Sequence, residues 1–324
     1  MSLAGVRAGA VDLGFAAGWR VVRALPERAV LAAATRLADR AVRRDGEGIA
    51  QLRRNLRRVV GPLVPQAELD DLVRAAARSY ARYWVETFRL PSMAAADVTA
   101  RVEVRGFERI EAAHARGRGV ILALPHMGNW DVAGIYLVSR GLPFTTVAER
   151  LKPDSLFKRF VAYREQLGFE VLALTGGPPT APVLAARLEA GGVVCLVGDR
   201  AFGSGGVAVS LFGEPALLPP GPAMLAARTG AALLVVGLWF TDDGWGIEVT
   251  EPVAGIADDG GAGDPAAGLA QRTRELTRGV AAQFERQIAA HPADWHMLQP
   301  VWSVDRDAAR QRRAAGRAAA GEAG

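Results

Sequence analysis

The chain has 324 residues, half of them apolar, with a formal net charge of +5 and a sequence pI near 9.9. That length and apolar content suffice for a sizeable core and exclude a disordered chain. The single cysteine, Cys195, excludes a disulfide framework and a cysteine-based zinc site, while the arginine-dominated excess suits an anionic membrane surface or a phosphate-bearing substrate as well as nucleic acid.

No stretch reaches the roughly eighteen uninterrupted apolar residues that a spanning helix needs. Met1 to Arg23 is amphipathic instead, with Leu3, Val6, Ala10, Leu13, Ala17 and Val21 at helical spacing, and Asp12 interrupts what would be a signal peptide's apolar centre. A helix lying on a membrane and a helix packed on the domain both fit that pattern. From Glu27 to Leu90 the pattern stays helical: Ala29 to Arg44, Ile49 to Val60 and Glu68 to Leu90, punctuated by Gly46, Gly61-Pro62 and Pro91. In the second of these Leu52, Leu56 and Val59 share a face and arginines surround it, which fits a solvated basic face or a phospholipid-contacting one. Tyr80, Tyr83, Trp84 and Phe88 are placed to pack on the body that follows or to floor an acyl groove.

After Pro91 the period changes to alternating strand and helix. Strands are expected at Val102 to Val104, Val120 to Leu124, Phe144 to Ala148, Val171 to Leu174, Val193 to Gly198, Ala208 to Leu211, Leu233 to Phe240 and Gly246 to Val249. Helices are expected at Phe107 to Ala115, Val132 to Arg140, Ser155 to Leu167, Thr180 to Ala190, Gly221 to Thr229 and Pro265 to Ala290. This alternation implies an α/β fold, a mixed, mainly parallel central sheet flanked by helices, with a helical N-terminal segment. The Ala- and Arg-rich stretch from Asp305 reads as a frayed helix or a disordered tail.

The chemistry centres on residues 120 to 131, Val-Ile-Leu-Ala-Leu-Pro-His-Met-Gly-Asn-Trp-Asp. A buried-strand run ends at Pro125, and Gly128 and Asn129 supply a turn before a helix, so His126 and Asp131 stand at a strand-to-helix corner. On a continuous helix the two side chains would diverge by roughly 140°, so they meet only if the chain turns between them. With that turn, Asp131 can accept from one imidazole nitrogen and leave the other free as a neutral base. A structural histidine in a loop is the plain alternative. Further polar residues end successive strands: Glu149 and Arg150, Asp199 and Arg200, and Glu214; Arg164 stands in Tyr-Arg-Glu-Gln-Leu-Gly168. In an open α/β sheet such ends converge, where arginines would hold phosphate or carboxylate groups.

No Ser stands in G-x-S-x-G, no Walker loop or G-x-G-x-x-G follows a strand, and His114, His291 and His296 lack ligand spacing, so metal chemistry is not expected. A base without a nucleophile or a metal suits direct attack by a substrate hydroxyl on an activated acyl group.

His126-Met-Gly-Asn-Trp-Asp131 resembles the H-x4-D/E block of the glycerolipid and lipid A acyltransferase superfamily. The resemblance runs from Glu27 to Trp302 through Gly117-Arg-Gly119, Ala148-Glu-Arg150, Leu188-Glu-Ala-Gly-Gly192, Gly198-Asp-Arg200 and Phe212-Gly-Glu214. Asp131, where lipid A enzymes usually carry Glu, and Ala-Glu-Arg-Leu-Lys-Pro153 resemble the phosphatidylinositol mannoside acyltransferase branch. The resemblance implies an enzyme with a glycerolipid acyltransferase-like fold, divided into a membrane-associating helical segment (1–95), an acyltransferase core (96–304) and a tail (305–324). It implies transfer of a fatty acyl chain from acyl-CoA, a co-substrate, to a mannose hydroxyl of a membrane glycolipid, with no resident cofactor and no nucleic-acid partner. His126 would deprotonate the hydroxyl, and Asp131 or Glu214 would orient the imidazole. Glu149, Arg150, Arg164, Asp199 and Arg200 would bind substrate, and backbone amides near Gly128 would receive the oxyanion. The setting would be peripheral, at an anionic membrane surface on the cytoplasmic face of the inner membrane. A lipid A type enzyme fed by acyl carrier protein and a non-catalytic lipid-binding protein are the alternatives.

Overall fold

The computed structural model describes residues 20, 22–149, 154–177, 179–201, 205–254 and 265–322. The amphipathic pattern of Met1 to Arg23 therefore lies almost wholly outside the described residues, as does Arg150.

Three helices come first: α1 (Glu27–Arg44), α2 (Glu47–Val60) and α3 (Gln66–Arg89). Each has one apolar stripe, and the stripes meet in a small core of Leu52, Leu56, Leu69, Val73 and Ala76. The arginines around α2 are committed within the protein. Arg53 pairs with Asp45 and Asp70, Arg57 donates to the Val64 carbonyl and to Gln66 Oε1, and Arg58 bonds Glu214 and Asp305. Asn55 on the same helix donates to the carbonyls of Met297 and Gln299 at 2.8 and 3.0 Å, tying the helical preface to the chain's far end.

A short helix, α4 (Ala95–Thr99), leads into the α/β unit: β1 (Val102–Arg105), α5 (Phe107–His114), β2 (Val120–Leu124), α6 (Trp130–Ser139), β3 (Phe144–Ala148), α7 (Asp154–Gln166) and β4 (Phe169–Ala173). Then come α8 (Thr180–Glu189), β5 (Val193–Val197), β6 (Val207–Leu211), β7 (Glu214–Leu218), α9 (Gly221–Thr229), β8 (Ala232–Phe240), β9 (Trp245–Val249), α10 (Pro265–Ala290) and α11 (Ser303–Glu322). The seven-stranded sheet has the order β1-β9-β8-β2-β5-β3-β4, and every neighbouring pair is parallel except β8 with β9. The fold is the mixed, mainly parallel α/β arrangement that the strand–helix alternation implies. The central strand β2 is buried along its whole length, as a parallel strand covered on both faces must be.

Two elements differ from the sequence reading. α4 is too short to show a period. Glu214 to Leu218, to which the sequence reading gave no element, is a strand paired antiparallel with β6. Phe212 and Gly213 carry φ of 50° and 78° between the two strands, the left-handed pair that closes a two-residue hairpin. The Ala- and Arg-rich tail is helical from Ser303 to Glu322. Among the described residues no helix is long and apolar enough to cross a membrane.

Candidate active site

β8, β2, β5, β3 and β4 run parallel, so their carboxyl ends share one edge of the sheet. In the β2–β5 pair Leu124 stands opposite Val197, and two residues further along each strand come His126 and Asp199. Alternation along neighbouring parallel strands therefore turns both side chains to the same face at the same height. His126 Nδ1 lies 2.5 Å from Asp199 Oδ1, and the His126 amide donates to Asp199 Oδ2 at 2.9 Å. The Trp295 indole donates to that same oxygen at 2.8 Å. Burial opposes ionisation of Asp199, but the charge and hydrogen bonds of His126, with the bonds from Trp295 and the His126 amide, outweigh it and hold the carboxyl below its ordinary value. An ionised Asp199 accepts only, so Nδ1 carries the hydrogen and Nε2 is left as the acceptor. The carboxylate is sealed in, whereas the imidazole is about a third open.

Asp199 thus occupies the place that sequence reasoning gave to Asp131 or Glu214. The chain does turn between His126 and Asp131, at Gly128 with φ 55°, where a Cβ would stand 2.7 Å from the Leu238 carbonyl carbon. Yet Asp131 falls in the first turn of α6 and points at α7, where Arg164 Nε meets its Oδ1 at 2.8 Å. Burial lowers the Arg164 value and Asp131 more than restores it, so the guanidinium stays charged. Glu214 lies on the β6–β7 hairpin and pairs with Arg58 Nε at 2.7 Å. The Gly128 amide is taken by the Asp294 carbonyl at 2.9 Å, so it is not the open oxyanion donor expected there.

The motif turn is held from two sides, and apart from Asn129 by residues that the sequence did not single out. Asn129 caps α6 by accepting from the Asp131 and Val132 amides, and its own amide donates to Glu86 Oε2 at 2.8 Å. Glu86, on α3, also receives Trp245 Nε1 and pairs with Arg82; burial pushes its carboxyl up despite these partners. On the other side Met127 bridges Trp295, and the His296 amide donates to the His126 carbonyl at 2.7 Å. Ser79 Oγ donates to Asp294 Oδ1 at 2.6 Å and so receives His296 Nε2 at 2.8 Å. Burial, with the neighbouring His126, lowers the His296 value to about 3 and keeps that ring neutral. Sequence reasoning asked only whether the histidines had ligand spacing, and a hydrogen-bonded support carries no such signature.

His126 opens into a cavity of about 530 Å³. It is lined by Tyr80, Tyr83, Trp84, Trp130, Asp131 and Arg164, with Glu149 and Arg200 also on its wall. Its apolar wall includes Leu122 and Leu124 of β2, Cys195 and Val197 of β5, and Leu137 of α6. Register places Leu122 opposite Cys195 and Leu124 opposite Val197, so these four share a sheet face. Tyr80, Tyr83 and Trp84 of α3 therefore line the cavity rather than only pack on the body, while Phe88 packs against Trp84 and Phe160. An open imidazole with an ionised partner, at the mouth of an apolar pocket of substrate size, can take a proton from a hydroxyl beside a buried hydrocarbon group.

Comparison with known proteins shows the family to which the chain belongs. A family model described as bacterial lipid A biosynthesis acyltransferase matches residues 7–303. The chain belongs to this acyltransferase family. A phosphatidylinositol mannoside acyltransferase of Mycolicibacterium smegmatis is 49% identical over 307 residues, spanning 93% of this chain and 94% of that protein. Those of two Mycobacterium tuberculosis strains are each 48% identical over 305 residues, 93% of this chain and 92% of theirs. His126 and the apolar cavity adjoin in this acyltransferase.

Proposed function

We propose that the protein moves a long fatty acyl chain from acyl-CoA to a mannose hydroxyl of a phosphatidylinositol mannoside, with His126 as general base. The observation that carries this reading is the His126–Asp199 pair at the mouth of the apolar cavity. The similarity to phosphatidylinositol mannoside acyltransferases over nearly the whole chain supports the acceptor.

In the step proposed, His126 Nε2 takes the proton of the acceptor hydroxyl as its oxygen attacks the thioester carbonyl. Asp199 stabilises the imidazolium that forms, the carbon–sulfur bond breaks, and the imidazolium returns the proton to the leaving thiolate. No acyl-enzyme is needed. Arg164, Glu149 and Arg200 on the cavity wall, with Arg150 next along the chain, are assigned to the acceptor phosphate, the mannose hydroxyls and the CoA phosphates. Asp131 acts through Arg164, and Glu214 through Arg58. To act on a membrane glycolipid the protein would sit peripherally at an anionic bilayer, on the cytoplasmic face of the inner membrane where acyl-CoA is available.

The test is a donor comparison: purified protein, extracted mannosylated glycolipid, and radiolabelled palmitoyl-CoA or palmitoyl-acyl carrier protein. Label entering the glycolipid from palmitoyl-CoA is the expected result. Transfer from the carrier protein alone, or from neither donor, overturns the reading.

A further inference from the structure

We propose that Trp295 is the positioning residue of the His126–Asp199 pair: its indole N–H holds the carboxylate turned to the imidazole and so sets the pH range in which the base works. This rests on the reading of His126 as general base.

The geometry is specific. Asp199 Oδ1 is engaged by the imidazole, and Oδ2 receives the His126 amide at 2.9 Å and the Trp295 indole at 2.8 Å. The amide belongs to the same residue as the imidazole, so it cannot hold the carboxylate independently of His126. Trp295 is the side chain that can, and it is fully buried. The segment around it is a template for the motif turn. Gly128 N donates to Asp294 O, His296 N donates to His126 O, and Met127 bridges Trp295. Behind Trp295 stands Trp302, edge to face at 6.1 Å and 86°, its indole bonded to the Leu211 carbonyl at 2.9 Å. Arg58 lies 4.8 Å over the Trp302 ring and is fixed by Glu214 and Asp305. A continuous pile thus runs from the hairpin to the base, and it gives Glu214 a place in the active site without any contact with His126.

The sign of the effect follows from charge. An indole donor stabilises Asp199 most when that carboxylate faces a neutral imidazole, and less once an imidazolium has neutralised it. Removing the donor therefore favours the protonated pair, and the acid limb of the rate profile moves to higher pH. The other titratable or charged groups around the pair are His296 and Asp294 of the same segment, Asp131 with Arg164 between α6 and α7, and Glu149 and Arg200 on the cavity wall. The hydrogen bond of Trp295 Nε1 goes to Asp199, and Trp295→Phe substitutes none of these groups.

The experiment compares wild type with Trp295→Phe in glycolipid acylation from palmitoyl-CoA between about pH 5 and 9. The expected result is kcat lowered by up to about tenfold on the acid limb and a few-fold near neutrality, KM for palmitoyl-CoA within about twofold, an acid limb displaced upward by up to about one pH unit, and most of the rate regained at high pH. An unchanged limb, whether with a uniform loss at every pH or with no loss, overturns the inference. Should the variant fail to fold, the indole proton of Trp295 in wild type and in Asp199→Asn decides by NMR. A downfield signal that moves upfield in Asp199→Asn supports the contact, and an unmoved signal overturns it. Inactive wild type, or an active His126→Ala variant, would instead strike the general-base reading itself.

Discussion

His296→Phe should remove much of the protein's sensitivity to mild acid. The wild-type ring is 6% exposed, ringed by Tyr80, Tyr83 and Phe240, and its value is lowered from 6.5 to about 3, by burial first and by the nearby His126 second. A histidine whose folded value lies below its unfolded one contributes fully above about pH 6.5, and that contribution is withdrawn as pH falls towards about 3. At about 1.4 kcal/mol per unit the full withdrawal is on the order of 5 kcal/mol. Between pH 7 and pH 5 alone it is about 2 kcal/mol, a large share of an ordinary domain's stability. Phenylalanine keeps the ring among its aromatic neighbours and cannot take a proton; losing the Ser79 bond costs about 1 kcal/mol at pH 7. The assay is urea unfolding of both proteins at about pH 7 and pH 5, comparing the pH-induced change within each so that other groups cancel. Equal changes in the two proteins would refute the account of a buried, neutral His296.

Asp199→Asn places a donor against Nδ1, selects the wrong tautomer, and should cut kcat by two to four orders of magnitude, whereas Glu214→Gln should cost less than about tenfold; parallel turnover assays rank them. Asp131→Asn leaves the Arg164 guanidinium buried without its counter-charge and should destabilise the fold by about 3 kcal/mol in denaturant titrations. Cys195→Phe fills the cavity wall beside Leu122 and should lower the ratio of long-chain to short-chain donor turnover by about tenfold, read from competing acyl-CoA substrates.

Much of the fold could be read from periodicity because its strands are short apolar runs between helices, as in Val120–Leu124 and Val193–Val197. The hairpin strand Glu214–Leu218 escaped because Pro215 interrupts its short apolar run, though a proline fits a two-stranded hairpin that leaves one edge unpaired. His126 was legible from its corner between strand and helix. Its partner was not, because spacing within one segment favours Asp131, while the acid that reaches the ring comes from the next strand in space. The sequence showed Asp199 at the end of a strand. Only the order of strands shows that this strand lies beside β2, in a register that sets residues 126 and 199 level. Trp295 and Glu86 were invisible for a related reason: each reaches the site through a hydrogen bond across more than forty residues of chain.

The central claim is that one imidazole, freed by Asp199 to accept a proton, drives acyl transfer beside the apolar cavity. Mass spectrometry of glycolipid and protein after incubation with palmitoyl-CoA tests it most directly, using wild type and a His126→Ala variant of unchanged unfolding midpoint. Wild type is expected to give acylated glycolipid and no acylated protein, and the variant to reduce product by at least about a hundredfold. Product at the wild-type rate from His126→Ala, or a stable acyl group on the protein, would contradict it.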